Sequence, residues 1–379
     1  MVCSRGLMRK VPGSNTVDVT GMLTFLGSLT LSCSKLPVNE RPALCVRPPK
    51  TTPSSATTQR YIQLMTERIT IAGLFIMAVG LAPASGQGCS DAGVCTAGPI
   101  GELHLSSDSA ASEPRNFARL TFSFASGEQG TSIFQVVPEL NIGATDHLAF
   151  QVKVPYVSAS GNLGANSGLG DPVITGSYAF VKQAHQRLDG LLGVKFPAND
   201  ANAKANDLPL PMPYQTGLGT TDLLFGLNYR FKRITAAIAY QHVLSQGNAN
   251  GFLHSTWNGS ADSASASGYF ESYTLERAND AVVRAQYAIP IGKLAVQPGL
   301  LAIVHLADDT RGIGEGTTQR ITIENSAGLT LNLTVDARYS LSGTWTLEAA
   351  YGSPLVTREV RPDGLTRSMV LNLGLRFAF

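Results

Sequence analysis

The dominant pattern in the chain is an alternation of apolar and polar positions that begins near residue 116 and continues to the C-terminus. In the clearest segment, apolar side chains occupy every second position from Leu329 to Tyr339, and polar or charged side chains lie between them. Successive side chains of a β-strand point to opposite faces. Each such segment therefore predicts a strand with one apolar face and one polar face.

Twelve segments show this alternation, and each is close to the roughly 9–11 residues that a tilted strand needs to cross a bilayer. They are 116–126, 131–142, 147–158, 172–182, 187–197, 221–231, 233–245, 281–290, 293–304, 326–340, 343–353 and 367–379. The sequence therefore predicts an all-β fold, a transmembrane antiparallel barrel of about twelve strands, with ten or fourteen as the alternatives.

The connections between these segments alternate in length, with the first hairpin loop at 127–130 as the exception. The short connections are 143–146, 182–186, 232–233, 291–292 and 341–343, and the long ones are 159–171, 198–220, 246–280, 305–325 and 354–366. Outer-membrane barrels have short periplasmic turns and long extracellular loops. We therefore expect both ends of the barrel domain on the periplasmic side.

Ten charged residues all fall on the polar phase of their segments. They are Arg119, Glu139, Lys153, Lys195, Arg230, Arg284, Asp336, Arg338, Glu348 and Arg376. A charge facing lipid at mid-bilayer costs about 2–4 kcal/mol, so these side chains are predicted to line the lumen. Bases outnumber acids in this set, which predicts a mild anion preference if the lumen conducts. The alternative is that the charges neutralise one another and the loop acids, and fill a narrow barrel.

The last segment alternates from Met369 to the terminal residue and places Phe377 and Phe379 on its apolar face. A final amphipathic strand that ends in phenylalanine resembles the insertion signal of bacterial outer-membrane barrels. The resemblance implies the barrel-assembly machinery and outer-membrane lipid as partners. The alternative is a secreted soluble β-sandwich, whose strands also alternate.

Composition narrows the class of protein further. Charged residues make up 15% of the chain, against about 25% in ordinary soluble domains, and 38 residues are glycine. The net charge of +2 provides no basic field for nucleic acid. After residue 90 there is no apolar run near the ~18 residues of a spanning helix.

The N-terminal third indicates export. Residues 65–86 combine a charged start, an apolar stretch and small residues, the pattern of a secretory signal peptide, with cleavage expected after Ala84 or Gly86. Such a signal belongs at the N-terminus, so we expect Met65 to be the biological start and the unstructured leader 1–64 to come from translation of upstream sequence. The alternative is that 1–64 is a disordered leader of the protein itself. Residues 87–115 then form a periplasmic or luminal segment before the barrel at 116–379.

The positions of the cysteines agree with this division into leader, signal peptide and exported chain. Cys3, Cys33 and Cys45 lie in the leader, whereas Cys89 and Cys95 follow the cleavage site and are predicted to form a small disulfide loop in an oxidising compartment. A metal site at this pair lacks an accompanying histidine. A lipoprotein anchor at Cys89 lacks the aliphatic residue that it would need upstream.

Two short segments look like copies of each other. Gly168-Leu169-Gly170-Asp171 and Gly217-Leu218-Gly219-Thr220-Thr221-Asp222 each lead into a strand in which a glycine comes shortly before an aromatic residue. Together they resemble the outer-membrane transporter family named for the meta-pathway of phenol degradation, over about 130–379. The resemblance implies a barrel that moves small, often hydrophobic, compounds. Glycine permits tight positive-φ turns. We expect Asp171 and Asp222 to cap such turns, with a substrate role as the alternative.

The sequence gives little support for a catalytic site or a metal site. The six histidines are His104, His147, His185, His242, His254 and His305, and none pair at metal-ligand spacing, so neither a metal nor a cofactor is predicted. A hydrolase site could use His254, Ser255 and Asn258, but these lie in a long loop without the spacing of the twelve-stranded outer-membrane phospholipase.

The sequence therefore predicts a bacterial outer-membrane channel or transporter, not an enzyme, that passes small, hydrophobic or aromatic molecules. The other candidates are a structural or adhesive barrel acting through loops 198–220 and 246–280, and an outer-membrane hydrolase.

Overall fold

The computed structural model describes residues 86–87 and 116–379. The predictions for the leader 1–64, for nearly all of the signal peptide at 65–86 and segment 87–115, and for the disulfide between Cys89 and Cys95 lie outside the described residues. The prediction of a transmembrane antiparallel barrel at 116–379 is confirmed.

Twelve strands form the barrel, and three of them are each interrupted once. They are β1 Phe117–Ser126, β2 Ser132–Gly143, β3 Leu148–Lys153 with Tyr156–Gly161, β4 Gly164–Leu169 with Val173–Lys182, β5 Gln186–Lys195, β6 Thr220–Phe231, β7 Ile234–Gln246, β8 Asp280–Tyr287 with Ile289–Ile291, β9 Leu294–His305, β10 Gly328–Ser340, β11 Trp345–Val356 and β12 Met369–Ala378.

Each strand pairs antiparallel with the strands before and after it in the chain. The first and last strands close the sheet, since β1 pairs with β12 from Phe117 opposite Ala378 to Ser126 opposite Met369. Closure leaves no row of unpaired backbone groups at a sheet edge, which is the condition for a sheet to span lipid.

Burial follows the predicted alternation on both faces of the sheet. On β1, Leu120, Phe122 and Phe124 are 40, 39 and 45% exposed, whereas Ser123 between them is 3% exposed. A shift of register by one residue would exchange these faces, so the alternation also fixes the register. The outer surface is a band of exposed large apolar side chains, as lipid contact requires.

The loops contain short additional elements. The paired short strands are Lys204–Ala205 with Leu208–Pro209, Thr310–Gly312 with Arg320–Thr322, and Gly86–Gln87 with Thr366–Arg367. The helical turns are Glu128–Gly130, Met212–Tyr214, His254–Trp257 and Ser263–Ala266. Within 116–379 no helix is both long and apolar enough to cross a membrane.

One predicted loop is wrong. Residues 159–171 were expected to form a long connection, but β3 and β4 continue as a paired hairpin from Tyr156 opposite Leu169 to Gly161 opposite Gly164. Pro155 and Pro172 lack an N–H, and small residues fill the segment between them, so the apolar alternation that marks a strand is missing there. Backbone pairing between its two strands, rather than an apolar face, stabilises this hairpin.

The barrel has a long-loop end, defined by loops 196–219, 247–279, 306–327 and 357–368, and a short-turn end. At the long-loop end, two of these loops and the β3–β4 turn share a hydrophobic cluster of Leu163, Leu210, Tyr214, Phe252, Trp257, Ala266 and Tyr269. The Tyr214 and Tyr269 hydroxyls lie 2.9 Å apart, and Tyr214 also accepts the Leu163 N–H at 3.1 Å. We call this packed layer the cap.

Candidate functional site

The inner wall near the short-turn end carries a chain of ion pairs. Arg119 contacts Glu139 at 2.7 Å and Glu348 at 3.0 Å, and Arg338 contacts Glu348 at 3.0 Å. Lys153 contacts Glu139 at 3.3 Å. Each of the two acids therefore serves two bases, and the contacts run along the inner wall from β10 to β3.

The other predicted lumen charges in this region are also buried or nearly so. Arg284 pairs with Asp336, which also accepts a hydrogen bond from Gln286. Arg230 is buried, and the guanidinium of Arg376 lies 3.9 Å from the centroid of the Phe117 ring. All ten charged positions singled out in the sequence thus face the interior of the barrel.

Sequence analysis missed one further pair in the same region. Arg187 contacts Asp189 at 2.8 Å, and Asp189 is buried. Both residues lie on the same phase of β5 as Lys195, so the alternation itself could have identified them. The pair adds one base and one acid to the lumen, so the excess of bases over acids stays the same.

Apolar side chains form part of the inner wall nearer mid-barrel. This apolar inner wall consists of Val173, Leu191, Leu224, Ala237, Ala239, Val282, Leu301 and Ile303, on strands β4 to β9. Across the β9–β10 seam, Leu301 pairs with Asn332 and Ile303 with Thr330. The inner surface therefore changes at this seam from apolar to uncharged polar.

At the long-loop end of β5, a single lysine joins the two glycine-rich segments. The ammonium of Lys195 lies 2.6 Å from Asp222 and 3.7 Å from Asp171. Asp171 also accepts the backbone N–H groups of Leu218 at 2.9 Å and Ala198 at 3.1 Å. The Asp171 carboxylate thus fastens loop 196–219 to the barrel wall.

Three of the four motif glycines allow close approach of the chain. A Cβ atom on Gly170 would lie 2.9 Å from the Thr216 carbonyl oxygen, and one on Gly217 would lie 2.2 Å from an Asp171 carboxylate oxygen. Gly219 has a φ of +72° and would place a Cβ 2.9 Å from the backbone of Asn248. Gly168 has room, since its nearest neighbour would lie at 3.6 Å.

A second ionic group connects three loops to the ends of β8 and β9. His305 Nδ1 lies 2.6 Å from Asp280 and its Nε2 lies 2.8 Å from Asp309. Arg277 contacts Asp280 at 3.0 Å and Asp363 at 3.4 Å. The Arg277–Asp280 and His305–Asp309 contacts are local, at three and four residues, whereas His305–Asp280 and Arg277–Asp363 are long-range and have no local pattern in the sequence that predicts them.

Loop 357–368 joins this group through Asp363. Arg358 contacts Asp363 at 2.7 Å and donates to the Ser326 carbonyl at 2.8 Å. Burial alone would raise the pKa of Asp363, but Arg358 and Arg277 outweigh burial and hold that pKa below its ordinary value. Asp363 therefore stays ionised between two guanidinium groups.

A cavity lies between loops 196–219 and 357–368 and the inner wall of β2 to β5, with an empty volume of about 750 Å³ that includes space open to solvent. Its lining mixes apolar residues such as Ile133, Val157 and Leu218 with Gln135 and Gln215. Lys153, Lys195, Asp171, Asp363 and Arg367 also reach it. Both ionic groups of the long-loop end therefore border this cavity.

The candidate hydrolase residues lie in the cap. His254 Nε2 lies 2.8 Å from the Tyr269 carbonyl oxygen, and its Nδ1 lies 3.7 Å from Glu271. Ser255 and Asn258 are exposed. Both imidazole nitrogens thus face groups other than Ser255. In the part of the chain that the structure describes, no cluster of histidine, cysteine or acidic residues could hold a metal ion.

The two terminal phenylalanines lie on the outer face at the short-turn end. The rings of Trp345 and Phe377 are 4.8 Å apart, and those of Phe377 and Phe379 are 6.1 Å apart. This aromatic row lies where a barrel meets the membrane interface. Recognition of the last strand by the assembly machinery stays a prediction.

No protein-family profile matches the chain, and no curated protein sequence matches it. Solved structures do resemble it in fold. The COG4313 outer membrane channel from Pseudomonas putida F1 is 16% identical, with a TM-score of 0.49 over 73% of this chain and 100% of that one. A Pseudomonas aeruginosa FadL homologue is 12% identical, with a TM-score of 0.38 over 78% and 100% of the two chains. The NanC porin is 10% identical, with a TM-score of 0.38 over 69% and 100%. At these identities the likeness concerns the barrel fold alone.

Proposed function

We propose that this chain is an outer-membrane channel or transporter that passes small molecules with an apolar body, hydrophobic or aromatic in character. The single observation that carries the proposal is the cavity between loops 196–219 and 357–368 and the inner wall. It is a concave site of mixed apolar and polar lining at one end of a closed barrel, and such sites are where proteins bind small molecules.

The proposed location is the bacterial outer membrane, reached through the signal peptide at 65–86. A closed antiparallel sheet with an apolar outer surface is the form of strand structure that spans a bilayer. The short-turn end then faces the periplasm and the cap faces the exterior.

The inner surface supports an apolar cargo. The apolar inner wall gives a molecule with a hydrophobic face a surface to contact, whereas Arg119, Arg284 and Lys195 already have carboxylate partners. The count of bases suggests an anion preference. These pairs instead favour the interpretation that the lumen charges neutralise one another. We therefore expect weak ion selectivity and measurable flux of small uncharged solutes.

The test uses the protein from Ser85 to the C-terminus, refolded into liposomes, with uptake of small aromatic and aliphatic solutes as the readout. A second variant replaces residues 250–272 with a short glycine-serine linker and so removes Phe252, Trp257 and Tyr269 from the cap. We expect solute uptake by the intact chain and faster uptake by the loop-deleted barrel. Folded barrels that admit no solute in either form would contradict the proposal.

A further inference from the structure

We propose that His305 is the charged latch of an extracellular gate: while its imidazole is protonated, it holds loop 306–327 against the barrel, and loss of that proton releases the loop. This inference rests on the proposed function, because it concerns how the capped end of the channel opens.

The geometry around the His305 imidazole requires a proton on each ring nitrogen. Nδ1 and Nε2 of His305 lie 2.6 Å and 2.8 Å from carboxylate oxygens of Asp280 and Asp309. An ionised carboxylate only accepts hydrogen bonds, and a neutral imidazole has one N–H. Both contacts are therefore hydrogen bonds only when the ring carries two protons and a positive charge.

Asp309 depends on this charge more than Asp280 does. Asp280 also contacts Arg277 at 3.0 Å, whereas among residues 116–379 His305 is the one cationic side chain within ion-pair distance of Asp309. Both His305 and Asp309 are buried. Within the described chain, a neutral ring would leave Asp309 as a buried carboxylate with no cation in contact and only the more distant Arg277 as a counter-charge, which is unfavourable.

Asp309 in turn holds loop 306–327 to its surroundings. Its carboxylate accepts the Ala278 N–H at 2.9 Å, and its own N–H donates to the Ser326 hydroxyl at 2.7 Å. Its carbonyl accepts the Ile323 N–H at 2.8 Å. Loss of the Asp309 position would therefore loosen both sides of this loop.

The other charged groups nearby do not replace His305. Arg277 and Arg358, from the two neighbouring loops, are shared with Asp363, and Asp222 on β6 adds a negative charge near Arg277. Strand β10 places the uncharged Gly328 opposite His305. The imidazolium is thus the titratable link between the end of β9 and loop 306–327.

The test compares hydrogen–deuterium exchange of loop 306–327 in the refolded protein and in His305→Gln at about pH 6 and about pH 9.5, values on either side of neutrality. At the lower pH we expect exchange to be about tenfold faster in the variant, the factor that corresponds to losing a hydrogen bond to a charged group. At the higher pH the difference between the two proteins should shrink. His254→Gln, the same substitution elsewhere in the cap, should behave like the unmodified protein.

Asp309→Asn provides a second route that leaves the histidine in place, and loop exchange in this variant should lose its dependence on His305 protonation. Equal exchange in the unmodified protein and His305→Gln at about pH 6 would overturn the latch, as would a difference of the same size at about pH 6 and about pH 9.5.

Solute uptake by liposomes, measured on the same proteins, separates the latch from the channel. Loop exchange that responds to His305 in barrels that admit no solute would uphold the latch and refute the channel. Uptake that occurs at one rate whatever the state of His305 would uphold the channel and overturn the latch.

Discussion

The ammonium nitrogen of Lys195 lies 2.6 Å from the carboxylate of Asp222, and both side chains are buried. Asp171 approaches the same ammonium at 3.7 Å, so the aspartates of both glycine-rich segments share one counter-charge. Two similar stretches of sequence are thereby joined at one point on the inner wall, where loop 196–219 meets the barrel.

This arrangement predicts an asymmetric response to substitution. Lys195→Met leaves two buried carboxylates without their base and should lower the free energy of unfolding by about 3–5 kcal/mol. The double variant Lys195→Met with Asp222→Leu should recover part of that loss, because it removes the unpaired charge as well. Urea titration of the refolded barrels measures both. Equal destabilisation by the single and double variants would show that the pair is not the cause.

Substitution of the motif glycines should distinguish positions where the chain packs closely against a neighbour from positions where a side chain has room. Gly217→Ala places a methyl group 2.2 Å from an Asp171 oxygen and should detach loop 196–219, so that a protease cuts it faster. Gly168→Ala is the matched control from the other segment, since its new methyl group would meet nothing nearer than 3.6 Å. We expect the control to be cut at the rate of the unmodified protein.

Acidification should loosen loop 357–368. Because the pKa of Asp363 is below its ordinary value in the folded protein, its contribution to stability is present above the unfolded pKa of about 3.9 and is lost as the pH falls through the folded value. Hydrogen–deuterium exchange of this loop, followed from about pH 5 toward about pH 1, measures the progressive loss. Asp363→Asn should have faster exchange already at the higher pH, whereas Glu359→Gln, at an exposed position, should match the unmodified chain.

The apolar inner wall should set the preference among solutes. Leu224→Ser introduces a hydroxyl into the hydrophobic stretch of the lumen and should lower the uptake of apolar relative to polar solutes by several-fold, roughly the effect of 1 kcal/mol. Thr334→Val, on the polar part of the inner surface, should shift the ratio the other way or leave it unchanged. A ratio that is the same in all three proteins would place solute selection elsewhere.

Much of the fold can be predicted from the sequence, because the residues of each strand in a membrane barrel alternate between the lipid-facing and the lumen-facing side, with a period of two. Exposed Phe122 and buried Ser123 show how strictly that period is kept, and the same phase directs Arg338 and Lys195 inward. The hairpin at 156–169 was missed because backbone pairing among small residues leaves no apolar alternation to detect.

The contacts at the long-loop end could not be predicted for a different reason. His305 and Asp309 are only four residues apart, but the contacts of His305 with Asp280 and of Arg277 with Asp363 depend on the folded paths of the loops rather than on local spacing. The glycine-rich segments were recognisable, but their mutual contact through Lys195 was not, because nothing in two similar motifs indicates that they meet.

The pairing of charges along the inner wall has an electrical consequence. An ion that enters among Arg119, Glu139 and Glu348 meets side chains that already pair with one another at 2.7 to 3.0 Å, so it finds no free counter-ion to replace the hydration that it gives up. An uncharged molecule loses far less. We therefore expect a membrane that contains this barrel to pass small neutral compounds more readily than ions.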